Sequence, residues 1–351
     1  MSLLAVRDLR VTFPTADGLV QAVRGVSFDV EAGQTLGIVG ESGSGKTVCT
    51  QTLLGLTRGA DVSGQALFHG RDLLATRAEE LRAVRGAQIS TIFQDPLSSL
   101  HPHYRVGWQI VEMIRAHRAV GRRLARARAI ELLRMVGIPQ AETRIDDYPH
   151  QFSGGMRQRA MIAMALALEP SLIIADEPTT ALDATVQAQI LDLLARLRDE
   201  LGTALIVITH DLGVVADIAD TVLVMYAGKV VEVAPRRSAY YEPHHPYTKG
   251  LLESIPAAVG ARGQLRPIRG QPPSLIAVPS GCAFHPRCRY AMDRCVTDIP
   301  ELRAIGTGCH RSACWLPEYL VGFGEPVDAE RDDAADRAGR HRGQTGGVDG
   351  E

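Results

Sequence analysis

The eight residues GESGSGKT at 40–47 constrain this chain more than any other stretch, because few backbone paths can follow such a sequence. Gly40, Gly43 and Gly45 lack a Cβ, so the loop can turn its N–H groups inward around an anion, with Ser42 and Ser44 completing it. Lys46 adds a point charge for β- and γ-phosphates, and the Thr47 hydroxyl suits Mg²⁺. The apolar TLGIVG (35–40) precedes the loop and VCTQTLLGL (48–56) follows it. That is strand, loop and helix in the order a phosphate cradle needs, with the helix N-terminus aimed at the anion. A chance glycine-rich loop would lack those flanks.

A second stretch, SLIIADEP at 171–178, reads as a buried strand ending in two carboxylates. Asp176 at the strand end suits a contact to Mg²⁺-bound water. Glu177, one residue on, faces a γ-phosphate as a candidate general base. Adjacent acids are usually a solvated pair. Acids directly behind four apolar residues, downstream of a phosphate loop, predict a P-loop nucleotidase that binds ATP with Mg²⁺.

FSGGMRQR at 152–159 resembles the signature motif of ATP-binding-cassette (ABC) ATPases. The other cassette elements stand in the matching order. Gln94 in STIFQDP resembles the Q-loop residue that senses Mg²⁺ and γ-phosphate, Asp183 in ALD the D-loop, and His210 in ALIVITH the switch histidine. Phe13, 33 residues before Lys46, matches the aromatic that stacks on adenine. Within the superfamily, STIFQDPLSSLHP, YPHQFSGGMRQR and YYEPHHPYTKGLLESIP look like the ATP-binding subunits of oligopeptide and dipeptide importers. Phe152 stands where many cassettes carry Leu, a departure this subfamily shares.

The resemblance implies an α/β fold: an ABC-type P-loop domain with a mixed sheet core, a β-subdomain and a helical subdomain, followed by a small irregular cysteine-rich extension. It implies hydrolysis of ATP coupled to transport. ATP would be sandwiched between the phosphate loop of one cassette and Ser153, Gly154 and Gly155 of another. The residues agree: Ser153 can cap the helix MRQRAMIAMALAL (156–168), whose N-terminus can hold an anion. The implied partners are two transmembrane permease subunits, a second ABC ATPase making a heterodimer, and an extracytoplasmic substrate-binding protein reached through the permeases. The segment 97–117 is where a permease coupling helix would touch. A nickel or other small-solute importer is the near alternative. A soluble non-transport cassette is the distant one, but such proteins typically join two cassettes or carry a long coiled-coil insertion, and this chain has neither.

Composition bounds these readings. A formal net charge of −2 argues against a general nucleic-acid binder, and no run approaches the ~18 apolar residues of a membrane span. The start, MSLLAVRDLRVTF, alternates like a strand rather than a secretory signal. A peripheral place on the cytoplasmic side of the cell membrane is expected. The basic run RRLARARA (122–129) reads as a solvated helix face.

Three regions are expected: an ATPase domain over 1–255 with its helical subdomain at about 98–168, an extension over 256–324, and a disordered tail over 325–351. VSGQALFHGRDLL (62–74) and TVLVMYAGKVVEVA (221–234) read as hairpins, and RPIRGQPPSLIAVPSG (266–281) as irregular chain.

The extension carries Cys282, Cys288, Cys295, Cys309 and Cys314; Cys49 reads as a small buried residue behind the phosphate loop. Disulfides suit a cytosolic chain poorly. Structural zinc sites usually pair cysteines two to four residues apart. Here five residues separate Cys282 from Cys288, and six separate Cys288 from Cys295. Spacing alone leaves zinc and iron open. The stretch GCAFHPRCRYAMDRC…SACW looks like the peptide-importer extension that holds a [4Fe–4S] cluster. That resemblance implies Cys282, Cys288, Cys295 and Cys314 as ligands and Cys309 as the spare, with the cluster either redox-active or a staple.

Overall fold

Short runs of Val, Ile and Leu that are apolar on both faces become the parallel strands of a central sheet, because only a sheet covered on both sides hides such runs. The computed structural model describes residues 2–95, 99–180, 182–255, 267–306 and 308–316. The expected disordered tail, 325–351, lies outside the described residues, as do Leu97 and Ser98 of the segment expected to touch a permease.

Strands β1 (Leu4–Thr15) and β2 (Gly18–Val30) form a long antiparallel hairpin. Strand β3 (Thr35–Val39) leads through the phosphate loop into helix α1 (Lys46–Leu53). Next come β4 (Asp61–Phe68) and β5 (Arg71–Asp72), the hairpin expected over 62–74, then α2 (Ala78–Val84) and β6 (Ile89–Ile92). A helical arm follows: α3 (Val106–His117), α4 (Arg122–Met135), α5 (Ala141–Arg144) and α6 (Gly154–Ala165). The chain returns through β7 (Leu172–Asp176), α7 (Ala184–Leu201), β8 (Ala204–Thr209) and α8 (Leu212–Ile218). The hairpin β9 (Thr221–Tyr226) and β10 (Lys229–Pro235) then turns through Ala227 and Gly228 at φ 47° and 76°. Positive φ at both central residues suits the twist of a tight hairpin.

Among the described residues the strands form two sheets. One is antiparallel, in the order β2-β1-β4-β5. In the other, β9, β3, β8, β7 and β6 run parallel. Alternate residues of these strands enter opposite apolar cores. Leu36, Ile38, Ile174, Ile206 and Ile208 pack toward the antiparallel sheet. Val39, Ile173, Ala175, Leu205 and Val207 pack toward the helical arm and α7. Each of the buried Val, Leu and Ile side chains contributes about 1.5–3 kcal/mol relative to exposure, so the strands are held from both faces.

The helical arm differs in detail from the sequence expectation. Helix α6 starts at Gly154, not 156, because the Ser153 hydroxyl accepts from Met156 N–H at 3.3 Å and fixes the cap there. It stops at Ala165, not 168, and Glu169 takes a left-handed φ of 58° before β7. The basic face of α4 is tied down by ion pairs, with Arg126 on Asp146 and Arg128 on Glu169.

After β10 come α9 (Arg236–Tyr241) and α10 (Pro246–Glu253). Residues 267–281 hold neither helix nor strand, as their Pro and Gly content suggests. The short α11 (Asp293–Thr297) is followed by β11 (Arg303–Ala304) and β12 (Arg311–Ser312). These two strands continue the large sheet beyond β10. Nothing in the sequence signalled this, since a two-residue strand has no period to read.

Candidate functional site

The expected nucleotide residues gather where the parallel strands end, the edge at which open α/β sheets bind ligands. Gly40 follows β3, Gln94 lies just past β6, Asp176 ends β7 and His210 follows β8. The glycines of the loop are needed where they stand. A Cβ on Gly40 would lie 2.2 Å from the Met225 carbonyl, and one on Gly45 would lie 2.2 Å from the Ala22 carbonyl. Lys46 is buried, and its Nζ donates to the carbonyls of Gly40 at 2.6 Å and Glu41 at 3.0 Å. Burial lowers its pKa, against the attraction of Glu177, Asp176 and Glu41.

The Thr47 hydroxyl donates to Asp176 Oδ1 at 3.0 Å, so the two residues expected near Mg²⁺ already adjoin. Burial raises the Asp176 pKa, partly offset by that hydrogen bond. Glu177 is the hub. Its Oε2 accepts from Gln94 Nε2 at 3.1 Å and from the Thr180 hydroxyl at 2.8 Å, while Oε1 lies 3.1 Å from His210 Nδ1. Burial works against its ionisation, but the contacts from Thr180 and His210 and the charge of Lys46 leave its pKa lowered. Its backbone sits at φ 47°, sparsely used by non-glycine residues, and its N–H donates to the Ile208 carbonyl at 2.8 Å. Thr180 escaped the sequence reading, although its place three residues after Glu177 was a usable signal.

Five expected residues stand elsewhere. Ser153 and Gly154 open α6, and the only hydrogen bonds described for Ser153 are the local ones of a cap. A Cβ on Gly155 would lie 2.9 Å from Val186 Cγ1, so that glycine lets α6 approach α7. Asp183 caps α7, its Oδ1 accepting from Thr185 and Val186 N–H at 3.1 and 3.0 Å. Phe13 is half-buried near the end of β1, opposite Val20.

These features coincide with two family models. The ABC transporter model matches residues 23–180, and the model of the oligopeptide/dipeptide transporter C-terminal region matches 231–295. The oligopeptide transport ATP-binding protein OppD of Salmonella typhimurium is 51% identical over 317 residues, 90% of this chain and 94% of that protein. The chain belongs to the oligopeptide/dipeptide branch of the ABC transporter ATP-binding proteins. The dipeptide transport ATP-binding protein DppD of Bacillus subtilis is 49% identical over 332 residues, 93% of this chain and 99% of that one. Among solved structures, a dimeric ATP-binding cassette in a post-hydrolysis state with ADP and Pi is similar, with a TM-score of 0.61 and 27% identity. It covers 67% of this chain and 99% of its own. The P-loop α/β fold and the ATP-hydrolysing character of this ABC chain are thereby shown.

The cysteines are a separate matter. Cys49 is fully buried behind the phosphate loop, and burial pushes its thiol up to about 12. Cys282, Cys288, Cys295 and Cys314 line one small cavity together with Phe284 and Trp315. Cys309 is exposed and does not line it. The Cys282 N–H donates to the Cys295 carbonyl at 2.8 Å, which closes the loop between them. Burial pushes Cys288 and Cys314 up to about 12, and raises Cys282 as well. Among the described residues no group of three or more His, Cys, Asp or Glu is arranged to hold a metal ion. The four thiols share a cavity, while the comparisons support the oligopeptide/dipeptide extension and not an iron–sulfur cluster within it. The extension model that matches this ABC chain ends at 295, short of Cys314.

Proposed function

We propose that this chain is the subunit that powers import of dipeptides or oligopeptides by hydrolysing ATP on the cytoplasmic side of the cell membrane. The observation that supports this best is the Glu177 carboxylate, shared by Gln94, Thr180 and His210 beside the phosphate loop. Glu177 accepts a proton from the attacking water. His210 and Thr180 hold its carboxylate in the ionised form that a general base needs. Gln94, bonded to Glu177, relays a change at the γ-phosphate to the membrane partner. Thr47, Asp176 and Gln94 fit Mg²⁺ by donor chemistry and by the Thr47–Asp176 contact; the ion would neutralise phosphate charge. Phe13 receives the adenine, and Ser42, Gly43 and Ser44 line the phosphates.

Ser153, Gly154 and Gly155 complete the site of a second ATPase subunit, and Asp183 lies at that junction. The purely local bonding of Ser153 supports this, since its helix N-terminus is left for an anion from outside. A heterodimer of two such ATPases on two permeases, fed by a substrate-binding protein, is the assembly we propose. Docking of a permease helix is supported by an apolar groove with a cavity volume of about 370 Å³, bordered by Phe93, Met113, Met161 and Leu56. Phe93 is 40% exposed there and adjoins Gln94. Among the described residues no helix is long and apolar enough to cross a membrane.

A [4Fe–4S] cluster held by Cys282, Cys288, Cys295 and Cys314 is also proposed. Four soft thiolate donors around one cavity fit iron–sulfur chemistry, and the exclusion of Cys309 from that cavity fits its role as the spare. The group would staple a region with little apolar core of its own.

Transport is tested in proteoliposomes carrying the permeases, both ATPases and the binding protein. ATP-dependent uptake of a labelled peptide is expected; uptake of Ni²⁺ but of no peptide would reassign the cargo.

A further inference from the structure

Arg287 lies in a 3₁₀ turn, His285–Arg287, immediately before Cys288, yet its guanidinium reaches the phosphate loop. Nη1 donates to Glu41 Oε2 at 2.6 Å and Nη2 to Glu41 Oε1 at 2.9 Å, a two-pronged pair. The remaining donors are also used. Nε bonds the Arg269 carbonyl at 2.9 Å, Nη2 the Gly270 carbonyl at 3.3 Å, and Nη1 the Tyr226 hydroxyl at 3.3 Å. The Arg287 side chain is only 5% exposed.

Glu41 is the second residue of the phosphate loop. Its N–H donates to the Tyr247 hydroxyl at 2.7 Å, and its carbonyl accepts from Lys46 Nζ at 3.0 Å. The outer side of the loop is therefore gripped by the extension through Arg287 and by α10 through Tyr247. A carboxylate is an odd occupant of a loop built for phosphate, because it repels the ligand. It is tolerable where a buried cation cancels it.

We propose that Arg287 is a positioning residue for ATP: it neutralises Glu41 and fixes the first turn of the phosphate loop, making nucleotide affinity depend on the cysteine-rich extension. The effect has two parts. Pre-ordering the loop reduces what ATP must order on binding. Cancelling the carboxylate removes repulsion from the phosphates. Only the second part can be restored by deleting the carboxylate, and this separates the proposal from a purely structural role.

The test is ATP affinity of the full-length chain, measured with a fluorescent ATP analogue on Arg287→Met, Arg287→Lys, Glu41→Gln and the double variant Glu41→Gln/Arg287→Met. Thermal melting is recorded to confirm folding. Arg287→Met is expected to weaken ATP binding by about tenfold, with Lys, which keeps the charge but not the fork, in between. Glu41→Gln alone should change affinity less than threefold, and the double variant should recover most of the loss. In the assembled transporter, KM for ATP should rise while kcat stays within twofold. Should Arg287→Met fail to fold, Arg287→Lys and the double variant still carry the test. Affinity within twofold of wild type in every folded Arg287 variant would overturn the proposal. So would a double variant that binds as weakly as Arg287→Met.

Discussion

The phosphate site and the cysteine-rich extension are built on opposite plans. The site collects Gly40, Gln94, Asp176 and His210 from the ends of four parallel strands whose flanks are filled by two apolar cores. The extension, over its described residues, has a 3₁₀ turn, a five-residue helix and two two-residue strands; Phe284, Cys282 and Cys288 pack against the core of the helical arm, and polar anchors add to that. One anchor is Arg287 on Glu41. Another is Glu232 on β10, a carboxylate 1% exposed, which receives the backbone N–H groups of His244 and His245 and lies 2.7 Å from His310 Nε2. A buried carboxylate is costly unless its oxygens are satisfied, and here they are. Chemistry on strand ends is thus pre-positioned within a regular sheet, whereas the thiols sit on irregular chain held by one edge of the core and by directional contacts.

If the comparison holds, substitutions in the site should cut chemistry sharply without disturbing the extension, and cysteine changes should do the reverse. The largest effect is expected for Glu177→Gln, which removes the base but keeps the shape. Steady-state hydrolysis in the assembled transporter should fall by about 10²–10⁴ with ATP affinity unchanged. Hydrolysis within threefold of wild type would remove Glu177 from that role. Ser153→Arg should cost about 10² in hydrolysis, because a bulky cation displaces the cap at the helix N-terminus that meets the partner's nucleotide. ATP binding to this chain's own phosphate loop should be spared, and equal turnover by mutant and wild type would sink the sandwich. Lys46→Ala should weaken ATP binding by about 10–100-fold in an equilibrium titration, since a buried charged donor is lost. Unchanged affinity would break the cradle reading.

The smallest effects on ATP chemistry belong to the cysteines. Anaerobically purified chain should carry about four iron and four sulfide if four thiolates hold a cubane. Serine at Cys282, Cys288, Cys295 or Cys314 should bleach it, and Cys309→Ser should not. One zinc and no colour would replace the iron reading, and bleaching by Cys309→Ser but not by Cys314→Ser would reassign a ligand.

What could be read from the sequence follows the same division. The phosphate loop, the runs 172–176 and 204–209, and the hairpin turning at Ala227-Gly228 were legible because spacing, apolar runs and turn chemistry are local signals. The convergence of Gln94, Asp176, Glu177 and His210 at one edge came only with the family order of motifs. The left-handed φ of Glu177 was not legible, since it is set where β7 leaves its pairing with β8; the Thr180 contact, three residues on, left a local trace that the motifs alone did not single out. The addition of β11 and β12 to the large sheet and the reach of Arg287 across 246 positions to Glu41 had no local trace at all.

The central claim is that four strand ends bring phosphate cradle, metal ligands and base to one point. It is tested most directly by determining the structure of the Glu177→Gln chain with Mg²⁺ and ATP. The triphosphate is expected within the loop 40–47, with Mg²⁺ held at Thr47 and Gln94, Asp176 behind it, and the side chain at 177 facing the γ-phosphate. A metal ion away from Thr47 and Gln94, or a side chain at 177 turned away from the γ-phosphate, would contradict it.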